Sequence, residues 1–207
     1  MNAEIDSQRR PKAIVMRPIH AISSCIVFVL LAFLVNTFFY TESLLSILKN
    51  GEPLLIQLGF GVLIGAGYAA INLLFFIIGG RYISWIGNSW TEMQGLLAKF
   101  DLSGLNFIWF AFCAGVGEEL LFRGALQPII GIGWSSVIFA AVHMATGELS
   151  KPNWKKLVYV ASTFIASFVL AYTFIYFGLL AAIVAHVVVD IICFFVGLRS
   201  IKITSGS

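Results

Sequence analysis

Six apolar runs dominate this chain: residues 19–40, 54–78, 105–122, 126–145, 157–177 and 179–196. Crossing the ~30 Å hydrocarbon core of a bilayer takes about 20 consecutive apolar residues as a helix. Each run is close to that length. Hydrocarbon offers no water to a free N–H or C=O, so such segments close their own backbone hydrogen bonds as helices. The expected fold is all-α, a polytopic transmembrane bundle of about six spans. Composition points the same way. Hydrophobic residues make up 59% of the 207 residues and charged residues 11%, against ~45–50% and ~25% in soluble domains. An ordinary soluble enzyme, a nucleic-acid-binding module and a disordered chain are thereby excluded.

Residues 82–100 mix Trp85, Trp90, Glu92 and Lys99 with apolar side chains. They read as an interfacial amphipathic helix rather than a span. Pro128, Gly131 and Gly133 interrupt the fourth run, which is expected to bend or break there. Gly178 alone separates the last two runs and predicts a tight turn. Gly61-x-x-x-Gly65 lets two helix backbones approach closely in lipid. Cys25, Cys113 and Cys193 lie inside apolar runs without metal-binding or disulfide spacing and read as packing residues. The run at 19–40 is too long for a signal-peptide core and no Ala-x-Ala-like site follows, so it reads as an uncleaved first span. The terminal Ser205-Gly206-Ser207 forms no prenylation box.

Thirteen basic against ten acidic residues give a net charge of +3, too small an excess to argue for an acidic partner. Its use is orientation. Arg9, Arg10, Lys12 and Arg17 precede the first span. Arg81 and Lys99 follow the second, Lys151, Lys155 and Lys156 the fourth, and Arg199 and Lys202 the last. The alternate loops hold only Lys49 and Arg123. Six passes with both termini cytoplasmic, in the plasma membrane, satisfy the positive-inside rule. The whole chain, 1–207, is expected to form one membrane domain. In this drawing Glu118 falls toward the outer side and His143 toward the inner side.

Ionisable residues within apolar runs each cost roughly 2.5–3.5 kcal/mol at a helix centre, so they need a reason. In Glu118-Glu119-Leu-Leu-Phe-Arg123, Glu119 and Arg123 stand four apart on one face and can pair. Glu118 is turned about 100° away and has no local cation, as a general base requires. Phe139 and His143 share a face one turn apart. His186 and Asp190 do the same, so Asp190 can accept a hydrogen bond from the imidazole and fix its tautomer. Together these groups suffice for water activation and oxyanion stabilisation within a polar intramembrane cavity.

The three clusters, in this order and spacing, resemble the motifs of the CPBP family, the CAAX protease and bacteriocin-processing membrane proteins, also called Abi. Its pattern is Glu-Glu-x-x-x-Arg, Phe-x-x-x-His and His-x-x-x-Asn/Asp. The resemblance covers about residues 105–198, the motif-bearing catalytic core. It implies an all-α intramembrane endopeptidase similar to the type II CAAX prenyl endopeptidases, whose eukaryotic-type members remove the terminal tripeptide of prenylated CAAX proteins. By the same resemblance Glu118 activates water with help from His143, His186 and Asp190 form the oxyanion hole, and Glu119, Arg123 and Phe139 support the site. Asp190 stands where the prenyl-protease pattern has Asn. Asn can donate to an oxyanion and ionised Asp cannot. Either Asp190 is protonated, or it orients His186 and the imidazole alone donates.

The expected activity is hydrolysis of a peptide bond in a hydrophobic or lipidated substrate, without a cofactor or metal. Partners would be membrane lipid and a peptide or protein substrate, lipidated or bacteriocin-like. Three other readings remain open at this level. The chain could confer bacteriocin immunity by binding, relay protons as a transporter, or hold zinc through Glu118, His143 and His186.

Overall fold

The computed structural model describes residues 15–40, 43–146 and 157–205, and these are almost entirely helical. Of the residues used above for orientation, Arg9, Arg10, Lys12, Lys151, Lys155, Lys156 and the side chain of Lys202 lie outside this description, as do the last two residues. Helix α1 (Pro18–Phe39) starts with proline in its first turn, where a missing N–H costs nothing. There the Arg17 N–H donates to His20 Nδ1 at 3.0 Å. A short α2 (Leu44–Lys49) is capped by Ser43, whose hydroxyl accepts the Ser46 N–H. Helix α3 (Leu54–Leu74) continues through a π-helical turn, Phe75–Gly79, into α4 (Gly80–Tyr82). Then come α5 (Ser84–Leu97) and α6 (Asn106–Glu119). A π-helical segment, Leu120–Leu126, links α6 to α7 (Gln127–Thr146). Helices α8 (Leu157–Phe177) and α9 (Leu179–Ser205) complete the bundle.

Among the described residues, five helical stretches are long and apolar enough to cross a membrane: Pro18–Phe39, Leu54–Tyr82, Asn106–Met144, Leu157–Phe177 and Leu179–Arg199. The chain is an integral membrane protein. Six runs were expected, and the third and fourth of them fall in the single stretch Asn106–Met144. That stretch is not straight. The Phe122 and Phe139 rings lie 5.0 Å apart between centroids, whereas a straight helix would separate them by about 25 Å. The chain turns back at Gly131, whose φ of 78° is one that side-chain-bearing residues rarely adopt. The interruption expected around Pro128 and Gly131 is therefore a reversal. Beyond it the returning arm is only about 22 Å long, too short for a full crossing.

Two backbone ties mark the two ends of the bundle. Met16 donates to the Lys99 carbonyl at 2.7 Å and accepts from the Asp101 N–H at 2.8 Å, fastening the start of α1 to the α5–α6 link. In that link Ser103 hydrogen-bonds the Asp101 carboxyl through its hydroxyl and its N–H, holding it below the usual carboxylate range. At the other end Gly51 pairs with Gly178, and Glu52 N–H donates to Phe177 O at 3.1 Å. Gly178, at φ 108°, is the tight turn expected between the last two helices. Helix α5 has 14 residues, about 21 Å of helix. It is too short to span and packs at the Met16 end, with Trp90 on Phe76.

The Gly61 and Gly65 pattern also has its packing use. A Cβ on Gly65 would sit 2.5 Å from Ala185 O, and one on Gly61 would sit 2.8 Å from Ala181 O. Helix α3 thus lies against the backbone of α9, the helix that carries two motif residues. Lipid supplies no hydrophobic drive for helix pairing, so close backbone packing must supply it. Gly65→Ala is expected to cost about 1–3 kcal/mol and to lower the detergent-solubilised melting point by several degrees. Gly67→Ala, whose Cβ meets nothing within 4 Å, should leave it unchanged. Equal melting points would refute tight α3–α9 packing.

Candidate active site

The polar side chains come from three helices that the sequence separates widely. Glu118 and Glu119 end α6, Arg123 sits in the π-helical segment, His143 lies near the end of α7, and His186 and Asp190 lie in α9. A π-helical turn widens the ladder, and such turns recur at functional sites. Here the Phe122 carbonyl accepts the Gln127 N–H and also the Ser135 hydroxyl at 3.2 Å. That second bond stitches the returning arm of α7 onto the π-helical segment and sets its register. Phe139 and His143 are thereby brought beside Glu118.

Glu119 and Arg123 pair as the i,i+4 spacing predicts: Nη1 to Oε1 is 3.1 Å and both side chains are fully buried. The same Oε1 lies 2.7 Å from His186 Nδ1. Glu119 therefore bridges a guanidinium and an imidazole. With Nδ1–H donating to Glu119, His186 turns Nε2 toward Glu118. His143 is oriented in the same way. Its Nδ1 is 3.0 Å from the Phe139 carbonyl, and its ring stacks on Phe139 with centroids 4.4 Å apart. Its Nε2 also points toward Glu118.

Glu118 is the carboxylate that both Nε2 atoms face. Oε2 is 3.6 Å from His143 Nε2 and 4.0 Å from His186 Nε2, and this oxygen has no hydrogen-bond partner. A water molecule fits the role of bridging such groups. The six-pass drawing set Glu118 and His143 on opposite sides of the membrane. The reversal at Gly131 puts them side by side instead.

Asp190 does not occupy the place expected for it. Its Oδ2 lies 3.7 Å from His186 Nε2, beyond hydrogen-bond reach, and on the ring edge that faces Glu118. The residue that can fix the His186 tautomer is Glu119. The i,i+4 spacing of His186 and Asp190 allowed the contact. The long-range approach of α6 to α9 brought a better-placed acceptor.

Sequence reasoning also missed Ser167. Arg123 Nη2 donates to its carbonyl and its hydroxyl, both at 3.0 Å. Helix α8 carries other hydroxyls, Ser162, Thr163 and Thr173, and each bonds a carbonyl of its own helix. Nothing in the sequence separates Ser167 from these. The Arg123 guanidinium also lies over the Phe139 ring, 4.6 Å from its centroid, within cation–π range.

The site residues differ in exposure. Glu119 and Arg123 are fully buried, whereas His143 is 25% exposed and Asp190 22%. The exposed members lie on the Met16 side, where α7 ends just past His143. The Glu119–Arg123 layer closes the Gly178 side. Among the described residues, no three of His, Cys, Asp and Glu are arranged to hold a metal ion.

Fold and site define a polytopic membrane protein with a carboxylate–imidazole cluster among its helices. Residues 101–192 match the family described as Rce1-like, type II CAAX prenyl endopeptidase Rce1-like. Over this segment the chain is similar to the CAAX-protease family, whose name describes an endopeptidase. The matched segment holds Glu118, Glu119, Arg123, Phe139, His143, Ser167, His186 and Asp190. Helices α1 and α3 lie outside it. No curated protein and no solved structure matches the chain.

Proposed function

We propose that this protein is an intramembrane endopeptidase in which Glu118 activates water to hydrolyse a peptide bond of a hydrophobic or lipidated substrate. The observation that carries this reading is the division of labour between adjacent carboxylates. Glu119 is engaged by Arg123 and His186. Glu118 keeps an unpartnered oxygen facing two imidazole Nε2 atoms. Water held between Glu118 and His143 gives its proton to the Glu118 carboxylate as its oxygen attacks the scissile carbonyl. His186 in its doubly protonated form, with Nδ1–H held by Glu119, hydrogen-bonds the resulting oxyanion through Nε2–H. Glu118 returns the proton to the leaving amine as the C–N bond breaks.

The same reading extends to orientation. Arg17, Arg81, Lys99 and Arg199 belong to the Met16 end of the bundle, while Lys49 belongs to the Gly178 end. The positive-inside rule then makes the Met16 end cytoplasmic, with both termini on that side. The more exposed site residues, His143 and Asp190, lie toward the same side, so a membrane-anchored substrate would enter from the cytoplasmic leaflet.

The test is cleavage by the full chain in nanodiscs, with and without chelator. Three peptides serve as substrates: a farnesylated CAAX-type peptide, the same peptide without lipid, and an apolar membrane peptide. Chelator-resistant cleavage by the wild type, absent from Glu118→Ala, is expected. Equal turnover by the folded variant would sink the mechanism.

A second experiment separates the two acidic neighbours of His186. Glu119→Gln is expected to lower turnover by about 10–100-fold, the usual cost of losing a residue that orients a functional histidine. Asp190→Asn is expected to lower it by less than about 10-fold, because Asp190 does not hold the ring. The reverse order would return the orienting role to Asp190.

A further inference from the structure

We infer that Ser167, which lies outside all three motifs, is a positioning residue that fixes the orientation of both site imidazoles through Arg123. Its consequence for turnover rests on the peptidase reading above; its effect on the imidazoles does not. Arg123 is the point where two branches meet. One runs through Glu119 to His186 Nδ1. The other runs through the face of Phe139, which stacks on His143 and whose carbonyl accepts from its Nδ1. Whatever sets the plane of the guanidinium therefore sets both rings.

The guanidinium has five N–H donors, and few of them are anchored. Nε has no hydrogen-bond partner. Nη1 lies at ion-pair distance from Glu119 but without hydrogen-bond geometry. Nη2 alone makes directed bonds, and both end on Ser167. One goes to the carbonyl and one to the hydroxyl. Losing the hydroxyl removes one of the two directed bonds and loosens the plane of the guanidinium between Glu119 and the Phe139 ring. Ser167 is fully buried, and its hydroxyl reaches across to another element, unlike those of Ser162, Thr163 and Thr173. Helix α8 thus acts on the geometry of a site to which it contributes no motif residue.

The chain contains only three histidines, His20, His143 and His186, so the prediction can be read directly. Protein labelled with ¹⁵N-histidine in micelles gives three imidazole signal sets, each from one ring's Nδ1 and Nε2, assigned by single substitution. Ser167→Ala is expected to move the His143 and His186 signals and leave that of His20, at the start of α1, in place. Ser167→Thr, which keeps the hydroxyl, is expected to restore them. Phe139→Leu cuts one branch and is expected to move His143 more than His186. In nanodiscs, Ser167→Ala is expected to lower kcat by about 10-fold with KM little changed.

His143 and His186 signals superimposable on the wild type would overturn the proposal, whatever happens to the melting point. If Ser167→Ala does not accumulate, Arg123→Lys carries the same test, since a lysine offers Glu119 a cation without a second nitrogen for Ser167. If wild-type protein cleaves no peptide yet the two signals move, the peptidase reading fails and the positioning role stands.

Discussion

Glu118→Gln is expected to lower peptide turnover by about 10²–10⁴-fold, the range over which a positioned general base acts. The amide has the size of the carboxylate but cannot take a proton from water. The change should be silent in folding, because Glu118 Oε2 makes no hydrogen bond that the fold depends on. Insertion and melting point are expected to match the wild type. This pairing of catalytic loss with intact structure separates Glu118 from Glu119, whose oxygen holds Arg123 and His186 together. The measurement is single-turnover cleavage in nanodiscs beside a thermal melt. Residual activity within a few-fold of wild type would exclude Glu118 as the base.

Arg123→Met should have the largest structural effect. Removing one partner of a buried ion pair leaves the other charge uncompensated and costs about 3–5 kcal/mol. Here the abandoned group is Glu119, fully buried, and two acceptors on Ser167 lose their donor as well. A fold stabilised by ~5–15 kcal/mol cannot absorb that unnoticed. The melting point in detergent is expected to fall by about 6–20 °C. Adding Glu119→Gln should recover part of the loss, because no orphaned carboxylate remains. Activity should not return, since His186 then lacks its anionic acceptor. An unchanged melting point in the single variant would mean that water reaches Glu119 and that the pair is not sealed from solvent.

Much of this architecture is legible in the chain itself. The apolar runs predict helix positions closely because a bilayer leaves a backbone few alternatives. The run at 157–177 coincides with α8, and Gly178 forms the predicted turn. The Glu119–Arg123 pair follows from helical periodicity alone, as does the separation of Glu118 from that cation. Such features are local, and local spacing determines them. The three clusters likewise carry the resemblance to the CAAX-protease family, whose model matches residues 101–192, because their spacing is written along the chain.

What the sequence could not decide depends on approach between distant segments. Residues 105–145 read as two full spans, yet they form one helical stretch that turns back at Gly131 and returns as a short arm. Glycine and proline mark a break there but do not give its angle. The Ser135–Phe122 bond across the reversal sets the register, and so brings His143 to Glu118. Asp190 sits at ideal spacing to orient His186. Glu119 takes that place from another helix because α6 and α9 lie close enough for a 2.7 Å contact. Ser167 is one hydroxyl among several in α8, and only the tertiary structure turns it toward Arg123. Helices and one-turn pairs are fixed by periodicity within a segment. Which carboxylate meets which imidazole is fixed by packing between segments, and no residue spacing encodes that.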